Sequence, residues 1–408
     1  MFTPEAPDRR PVSAPELFRP PHCPWPECPA HHAEKDLYGW VRYGWYTRKA
    51  APGRIRRFRC NTCEQTFSTQ TFSTTYYLKR PELLVPVATR LNNSSGDRSI
   101  RRTVEPNPDY APQHNAGASG STITRLVPRL ARHAMLILVE LEHLPEARLA
   151  PPEPRAIDDF ETFAVTQLYA VATPTVVGRT TSWVYYVDQA PHRRGGRLTP
   201  AQKIAERAIL ERRLIPHNAR RKAWDRAVDQ MLAEAAPGTV LDVVSDGART
   251  IADALAAAGD RIRHVARPNP KRGPKGSPPS FAAWERDREM RESDLLHRWY
   301  RHSIAHHRRE SIAFPRSVNA LLGRLLHFSV ARNLVQARRE RKVNGPTPAQ
   351  LRGMTDRPIE WAEILEMRRF SSRLPALPPG WRDCYTESIP TLGAKSSPRR
   401  YPYHGRLR

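Results

Sequence analysis

Four of the five cysteines lie near the start of the 408-residue sequence, in the pairs Cys23-x4-Cys28 and Cys60-x2-Cys63. Two such pairs can supply four thiolates to one tetrahedral zinc ion. The alternative is a pair of disulfides, but disulfide frameworks are typical of shorter secreted chains, and the first residues lack the pattern of a signal peptide. We therefore expect a structural zinc ion bound by these four cysteines.

The ligand set stays open at one point, because the first cysteine pair has the wider spacing of the two. His22, His31 and His32 lie beside that pair, and each carries a ring nitrogen that could replace one thiolate. The fifth cysteine, Cys384, stands alone far along the chain and is expected to be incidental.

A second set of candidate ligands consists of carboxylates that follow predicted strands. Asp158 lies in AIDDF, at the end of one strand, and Asp246 follows VLDVVS, at the end of a later one. Acids at the ends of neighbouring strands can converge, and phosphoryl-transfer enzymes use such convergence to hold two magnesium ions. A third acid usually comes from a helix packed across those strands. Glu310 is our candidate, because Arg308 and Arg309 precede it and could bind phosphates.

Neighbouring acids compete with two of these assignments. Asp159 would face the opposite side of the strand from Asp158, so only one of the two can point into a site. Asp242 stands in the same relation to Asp246. Three further acids are expected to be ordinary turn or surface carboxylates: Asp188, Glu292 and Asp294.

The composition indicates a polyanionic partner. The formal net charge is +25 and the isoelectric point is about 10.6; a surplus of this size attracts nucleic acid. Anionic membrane is the competing surface, but no apolar run reaches the roughly 18 residues that span a bilayer. We expect a cytoplasmic, nucleoid-associated protein that binds double-stranded DNA.

Proline clusters divide the chain into segments that differ in composition and hydrophobic pattern. We predict a flexible arm, a zinc ribbon, a helix-turn-helix region, an α/β domain and a basic Pro-rich C-terminal segment, over residues 1–20, 21–75, 80–148, 155–340 and 341–408. Within the zinc ribbon, WVRYGWYT and RIRRFRC are predicted to form a hairpin.

The helical region is predicted to contain a short helix, a turn, a second short helix and a longer basic helix, which is the layout of a helix-turn-helix. Arg125, Arg129 and Arg132 would line the polar face of the third helix and contact DNA. The alternative is an ordinary helical bundle, in which charged residues only solvate a helix surface.

From residue 156 the sequence alternates between strands and helices. Two β-rich segments come first, and a helix capped by Thr199, the strand GTVLDVVSDG, the helix TIADALAAAG and the strand RIRHVARP follow. A long helical stretch is then predicted over residues 281–335. This order predicts a mixed sheet flanked by helices, in a multi-domain α/β protein.

The chain resembles the transposases of bacterial insertion sequences that carry an amino-terminal zinc ribbon, a helix-turn-helix and a ribonuclease H-like catalytic core. The resemblance covers roughly residues 21–370. It rests on CPWPEC with RFRCNTCEQTFS, on AIDDFETF and VVSDG, on HHRRESIAF followed by LLHFSVARNLV, and on TPAQLRGMTDRPIEW.

The resemblance implies an acidic triad of Asp158, Asp246 and Glu310 that binds catalytic magnesium, beside a structural zinc ion. It also implies that two DNA ends are paired by a homodimer or a larger assembly. One departure from the family is the spacing of 63 residues between the second and third acids, with the insert ARPNPKRGPKGSPPS inside.

The first hypothesis is therefore a DNA transposase that cleaves and transfers strands at the ends of a mobile element. The second is a zinc-dependent, sequence-specific DNA-binding regulator whose catalytic core has decayed. A third, an RNA-binding scaffold, is favoured only by the charge.

Overall fold

The computed structural model describes residues 17–33, 37–104, 120–149, 152–271, 273–274, 276–308, 313–339, 341–342 and 344–392. These residues form two hydrophobic cores, a small one around the cysteine pairs and a large one around a mixed sheet. The protein is thus a mixed α/β structure with an N-terminal cysteine-containing module.

The N-terminal module is a three-stranded antiparallel sheet in the order β1-β2-β3. Its strands are β1 (Trp40–Thr47), β2 (Arg54–Cys60) and β3 (Thr66–Ser68). The first two strands are the predicted hairpin. The Phe18 ring lies 6.0 Å from that of Phe58 and 5.6 Å from that of Phe72. The end of the predicted flexible arm is therefore part of this core, while residues 1–16 lie outside the described residues.

Four helices connect the module to the sheet: α1 (Leu84–Leu91), α2 (Asp97–Thr103), α3 (Gly120–Glu142) and α4 (Pro145–Leu149). From Ala134 to Val139 every residue of α3 is buried, because this half of the helix is apolar on all sides. Helices α1–α3 belong to the same continuous hydrophobic core as the sheet. The predicted boundary near residue 150 therefore does not separate two cores.

The main sheet has the order β6-β5-β4-β8-β9, with β7 paired to β5. Its strands are β4 (Arg155–Phe163), β5 (Tyr169–Gly178), β6 (Val184–Val187), β7 (Ala190–Arg193), β8 (Leu241–Ser245) and β9 (Ile262–Ala266). Strand β5 is antiparallel to both β4 and β6, whereas β4, β8 and β9 run parallel to one another. Every residue of β5 is buried, as expected for a strand covered on both faces.

Helices pack around this sheet. They are α5 (Pro200–Glu211), α6 (Ala219–Glu234), α7 (Arg249–Ala256), α8 (Phe281–Glu289), α9 (Arg291–Ser303) and α10 (Val318–Val330), followed by the shorter α11 (Pro348–Leu351), α12 (Trp361–Ile364) and α13 (Pro379–Tyr385). The predicted capping of α5 is confirmed, since the Thr199 side chain accepts a hydrogen bond from the Gln202 amide.

The described part of the helical stretch predicted over residues 281–335 is divided into the three helices α8, α9 and α10. Helix α9 ends where Ile304 adopts an extended conformation, and α10 begins where the Ser317 side chain accepts a hydrogen bond from the Ala320 amide. The predicted C-terminal segment is folded into the body up to residue 392: Trp361 and Trp381 are both buried. Within the described part of the chain, no helix is both long and apolar enough to cross a membrane.

Candidate functional sites

The four N-terminal cysteines converge. Sγ of Cys23 lies 3.7 Å from Sγ of Cys63, and Sγ of Cys28 lies 3.8 Å from Sγ of Cys60. Thiolates about 2.3 Å from a tetrahedral zinc ion are about 3.8 Å apart, whereas a disulfide needs about 2.05 Å. All four thiols are free, and their sulfurs lie within 4.8 Å of one another. The cluster could therefore bind a structural metal such as zinc.

The turn after β2 prepares one of these sulfurs for metal binding. The Thr62 amide lies 3.3 Å from Sγ of Cys60 and donates to it. Burial raises the pKa of Cys60, but the amides of Cys63 and Thr62 outweigh this effect and lower it to about 7. Amide donors favour the thiolate, which is the form that binds a metal.

The neighbouring histidines make other contacts. Nδ1 of His22 and Nδ1 of His31 lie 2.9 and 2.7 Å from the carbonyl oxygen of Cys23, and Nε2 of His31 lies 2.8 Å from Oγ of Ser372. Among the described residues, no histidine joins the group of sulfurs at metal-binding distance. The histidines instead hold the first cysteine loop against a distant part of the chain.

A second cluster forms where β4 and β8 run side by side. Their parallel register pairs Ile157 with Ser245, so Asp158 and Asp246 follow next to each other. Gly247 then adopts a φ of +81°, which glycine tolerates best. The Asp246 carboxylate accepts a hydrogen bond of 2.9 Å from the Ala248 amide. This turn holds the carboxylate at the end of the strand.

Asp159 faces the other side of the sheet, as strand alternation requires. Arg220 and Trp224 of α6 donate to its carboxylate over 2.6 and 3.2 Å. Asp242 is half-buried and forms a two-bond ion pair with Arg263. Both carboxylates therefore accept hydrogen bonds from an arginine, and Asp159 also from an indole. Asp158 accepts none of either kind within the described chain.

Helix α9 brings two residues to Asp158 that the sequence interpretation did not select. Nδ1 of His297 lies 3.8 Å from the carboxylate of Asp158. Nε2 of His297 lies 2.9 Å from Oγ1 of Thr175, and that hydroxyl donates its proton to the Asp158 carbonyl oxygen. The hydroxyl can therefore only accept from His297. The imidazole proton stays on Nε2, and Nδ1 has a free lone pair.

Asp294 is the second of these residues. Its negative charge contributes to the raised pKa of Asp158, and Arg286 donates to it from α8 over 3.2 Å. The expectation that Asp294 only solvates a helix is wrong, and so is the same expectation for Glu292, which is buried and paired with Arg338 at 3.1 Å. The three-residue spacing of Asp294 and His297, which puts both on one helix face, was the available sequence signal.

The electrostatics of this cluster favour a bound cation. Burial and the adjacent Asp246 charge raise the pKa of Asp158 from 3.8 to about 7. Burial, with the nearby Arg301 and Arg286 charges, lowers the pKa of His297 to about 3. The histidine is therefore neutral at physiological pH and cannot balance the two carboxylates.

The third predicted acid, Glu310, and its neighbour Arg309 lie outside the described residues. The residues that flank them contact the far end of β4. His307 lies 3.0 Å from Oγ1 of Thr162, and the Phe314 ring lies 6.3 Å from that of Phe163. Arg308 is exposed.

Two of the three arginines predicted to contact DNA from α3 make contacts inside the protein. Arg129 donates to the carbonyl oxygen of Thr74 over 2.7 Å, and Arg132 pairs with Glu387 at 2.7 Å. Arg125 is exposed. The first two arginines fasten α3 to the N-terminal module and to the end of the body.

The hairpin of the N-terminal module carries arginines that the sequence interpretation did not select. The guanidinium groups of Arg54 and Arg56 lie 4.4 and 4.6 Å from the centre of the Trp45 ring. Tyr43 holds Arg57 and Arg59 in the same way, at 5.2 and 5.7 Å. Within the ranges that the structure describes, none of these four arginines pairs with a carboxylate. Apart from one hydrogen bond from Arg57 to Oγ1 of Thr66 over 3.4 Å, their N–H groups are thus available to an anion.

No protein-family model and no curated protein matches this chain.

Proposed function

We propose that the protein is a DNA transposase, which cleaves and joins DNA strands at the ends of a mobile element. The observation that carries the proposal is the adjacency of Asp158 and Asp246 on parallel strands. Neither forms an ion pair with a lysine or arginine of the described chain. Two adjacent carboxylates without such a partner are a site for a divalent cation.

The sheet supports a ribonuclease H-like catalytic core. If β7 is left out and the other strands are renumbered 1 to 5 from β4, their order in the sheet is 3-2-1-4-5. Only the second strand, β5, is antiparallel to the others. The first and fourth strands, which carry the two acids, are neighbours at its centre. This is the arrangement that such a core uses to present its acids on one face.

Magnesium is the cofactor that suits oxygen ligands of this kind, and two bound ions would activate the attacking oxygen and stabilise the leaving one. Asp158 and Asp246 would hold the metal, with either Asp294 or Glu310 as the third carboxylate. His297 keeps its proton on the side away from Asp158, so it donates nothing to that carboxylate, whose one hydrogen bond in the described chain comes from the Asp159 amide over 2.8 Å.

Binding of double-stranded DNA is the second part of the proposal. The net charge of +25 and the hairpin arginines stacked on Trp45 and Tyr43 support it. Arg125, Arg308 and Arg309 are further candidates for phosphate contacts. The cysteine cluster would bind a structural zinc ion that holds the hairpin in place, and a homodimer or larger assembly would pair two DNA ends.

One observation favours the second candidate, a DNA-binding regulator with a decayed core. In the part of the chain that the structure describes, the four cysteines are the only group of three or more candidate ligands gathered within 4.8 Å. The acids around Asp158 are more widely spread than those ligands, so a core without catalysis would explain their positions.

Strand cleavage separates these two functions. The purified full-length protein would be incubated with magnesium and a plasmid that carries the gene with its flanking DNA, and nicks and joined products would be mapped. We expect D158N and D246N to lower cleavage by more than about 10³-fold, since each removes a metal ligand. DNA binding in a gel-shift assay should stay within twofold.

D242N is the matched control, because Asp242 lies on β8, just before Asp246, but is paired with Arg263. D294N and E310Q identify the third carboxylate, which is the one whose loss abolishes cleavage. Cleavage by D158N at the wild-type rate overturns the proposal, and DNA binding without any cleavage assigns the regulator function.

A further inference from the structure

A groove runs between the N-terminal module and the segment of residues 368–372. Its volume is about 280 Å³, at the lower end of the about 300–1,000 Å³ typical of small-molecule sites. Seven of its 17 lining residues are aromatic, three are arginines, and none is an aspartate or a glutamate. The groove thus combines ring surfaces with positive charge and has room for one ring-sized ligand.

One of these arginines has no partner that would balance its charge. The Arg368 guanidinium lies 4.8 Å from the centre of the Phe370 ring and 5.6 Å from that of Tyr76. Burial lowers its pKa, and among the described residues its side chain neither pairs with a carboxylate nor donates a hydrogen bond. Its neighbour Arg369, in contrast, is paired with Glu140 at 2.8 Å. A half-buried guanidinium with free N–H donors is a site for an anion such as phosphate.

The aromatic side of the groove contains an indole N–H group without a partner and an exposed tyrosine. The indole N–H of Trp25 is buried without a hydrogen-bond partner in the described chain. Tyr77 is 66% exposed, and its ring centre lies 4.1 Å from that of Tyr76, with the two planes tilted by 44°. Its φ of +59° is uncommon for a bulky residue. The indole nitrogen is too deeply buried to contact a ligand in the groove, whereas the exposed Tyr77 ring offers a surface on which a planar ligand can stack.

We propose that this groove binds one unpaired nucleotide of a DNA strand, with its base against the tyrosines and its phosphate on Arg368. Rings that stack on a base contribute about 1–3 kcal/mol per base in proteins that bind single strands. A base inside a duplex is covered on both faces by its neighbours, so a base that stacks on these rings belongs to an unpaired nucleotide. The inference rests on the proposed function only in that the ligand belongs to DNA.

The test compares two probes on the full-length zinc-loaded protein: a dT15 oligonucleotide and a 15-base-pair duplex, with binding followed by fluorescence anisotropy. Y77N removes the exposed ring and places there a residue that tolerates positive φ. We expect this variant to bind dT15 about 5- to 150-fold more weakly, the range that corresponds to one lost stack. Duplex binding should stay within twofold. F281N is the matched control, because Phe281 is 75% exposed on another part of the surface.

R368M keeps an unbranched stem between the rings but removes the charge. We expect weaker binding of dT15 and a salt dependence that is flatter by about 0.7, the value of one phosphate contact on a single strand. R382M, on the exposed side of α13, is the control for loss of one charge. Thermal melting of each variant shows whether the fold is kept.

The outcomes separate this inference from the proposed function. If the protein binds the duplex while Y77N and R368M bind dT15 as the wild type does, the groove assignment alone is overturned. An equal loss for both probes also overturns it, because the groove would then not distinguish unpaired nucleotides. If neither probe binds, the proposed function fails as well. Binding of free dTMP without binding of dT15 would assign the groove to a free nucleotide and contradict the proposal.

Discussion

Nδ1 of His297 lies 3.8 Å from the carboxylate of Asp158 and faces it with a lone pair instead of a proton. A histidine that stabilises a carboxylate would present an N–H group or a positive charge. Asp158 receives neither of these from His297, and the adjacent Asp246 adds a second negative charge. The ionised cluster therefore lowers the free energy of unfolding, and a bound cation would offset this loss.

This cost predicts a pH-dependent gain in stability for D158N in the absence of divalent cations. The pKa of Asp158 is raised to about 7 from 3.8. The unfolded chain therefore releases its proton first as the pH rises, and the free energy of unfolding falls between about pH 4 and pH 7. D158N avoids this loss, so it should be more stable than the wild type at pH 8 by up to about 4 kcal/mol.

The same measurement at pH 3.5, by chemical denaturation, should show no difference between the two proteins. D242N is a control of opposite sign, because Arg263 lowers the pKa of Asp242 and its loss should destabilise the protein at neutral pH. A D158N protein that is less stable than the wild type at pH 8 would show that its surroundings stabilise the ionised Asp158 carboxylate and would contradict this prediction.

Zinc removal should unfold the N-terminal module before the sheet domain. The hydrophobic core of this small module is limited, so bonds between the four thiolates and the metal supply much of its stability. Structural zinc contributes about 10–16 kcal/mol of binding free energy in comparable sites. We expect one zinc ion per chain, and C60S should lose it together with protection of residues 17–75 from hydrogen exchange. C384S should keep the metal, since Sγ of Cys384 lies beside the Asn319 carbonyl oxygen, in the main core. Full metal retention by C60S would contradict the four-cysteine site.

The hairpin arginines should account for part of the salt dependence of duplex binding. Each phosphate contact contributes about 0.9 to the slope of log K against log salt concentration. The double variant R54Q/R56Q should therefore lower that slope by about 2. R207Q/R212Q removes the same charge from exposed positions on and just after α5 and should leave the slope unchanged. Equal effects of the two double variants would mean that only net charge matters.

Gly380 should be a position where one methyl group destabilises the body. A Cβ atom there would lie 2.1 Å from Oδ1 of Asp188, which is fully buried and paired with Arg226 at 2.7 Å. We expect G380A to lower the free energy of unfolding by about 1–3 kcal/mol. G195A is the control, because no atom of the described residues lies within 4 Å of its added Cβ. A G380A protein as stable as G195A would show that α13 moves away freely.

The sequence was sufficient for features that depend on local spacing. The cysteine pairs, the hairpin between them and the separation of Asp158 from Asp159 follow from turn geometry and strand alternation, which neighbouring residues determine. The adjacency of Asp158 and Asp246 required only that two acids follow two strands of one parallel pair.

Contacts between distant segments could not be predicted in the same way. His297 reaches Asp158 only because α9 packs across β4, and no nearby residue encodes that packing. Arg132 was interpreted as a DNA contact because its partner Glu387 lies 255 residues further along the chain. The unbroken apolar half of α3 did signal burial, and that signal conflicts with an exposed recognition helix.

The junction between the N-terminal module and residues 365–373 has a consequence for biosynthesis. The Phe370 ring lies 5.5 Å from that of Phe72, and the Arg368 amide donates to the Phe72 carbonyl oxygen over 2.7 Å. The N-terminal module therefore waits, after it leaves the ribosome, until residues 365–373 are made and can complete its core. At the usual about 5–20 residues per second, that wait is roughly 15–60 s. During this interval the cysteines and the ring of Phe72 are exposed to the cell, so metal loading before translation ends would protect the nascent chain.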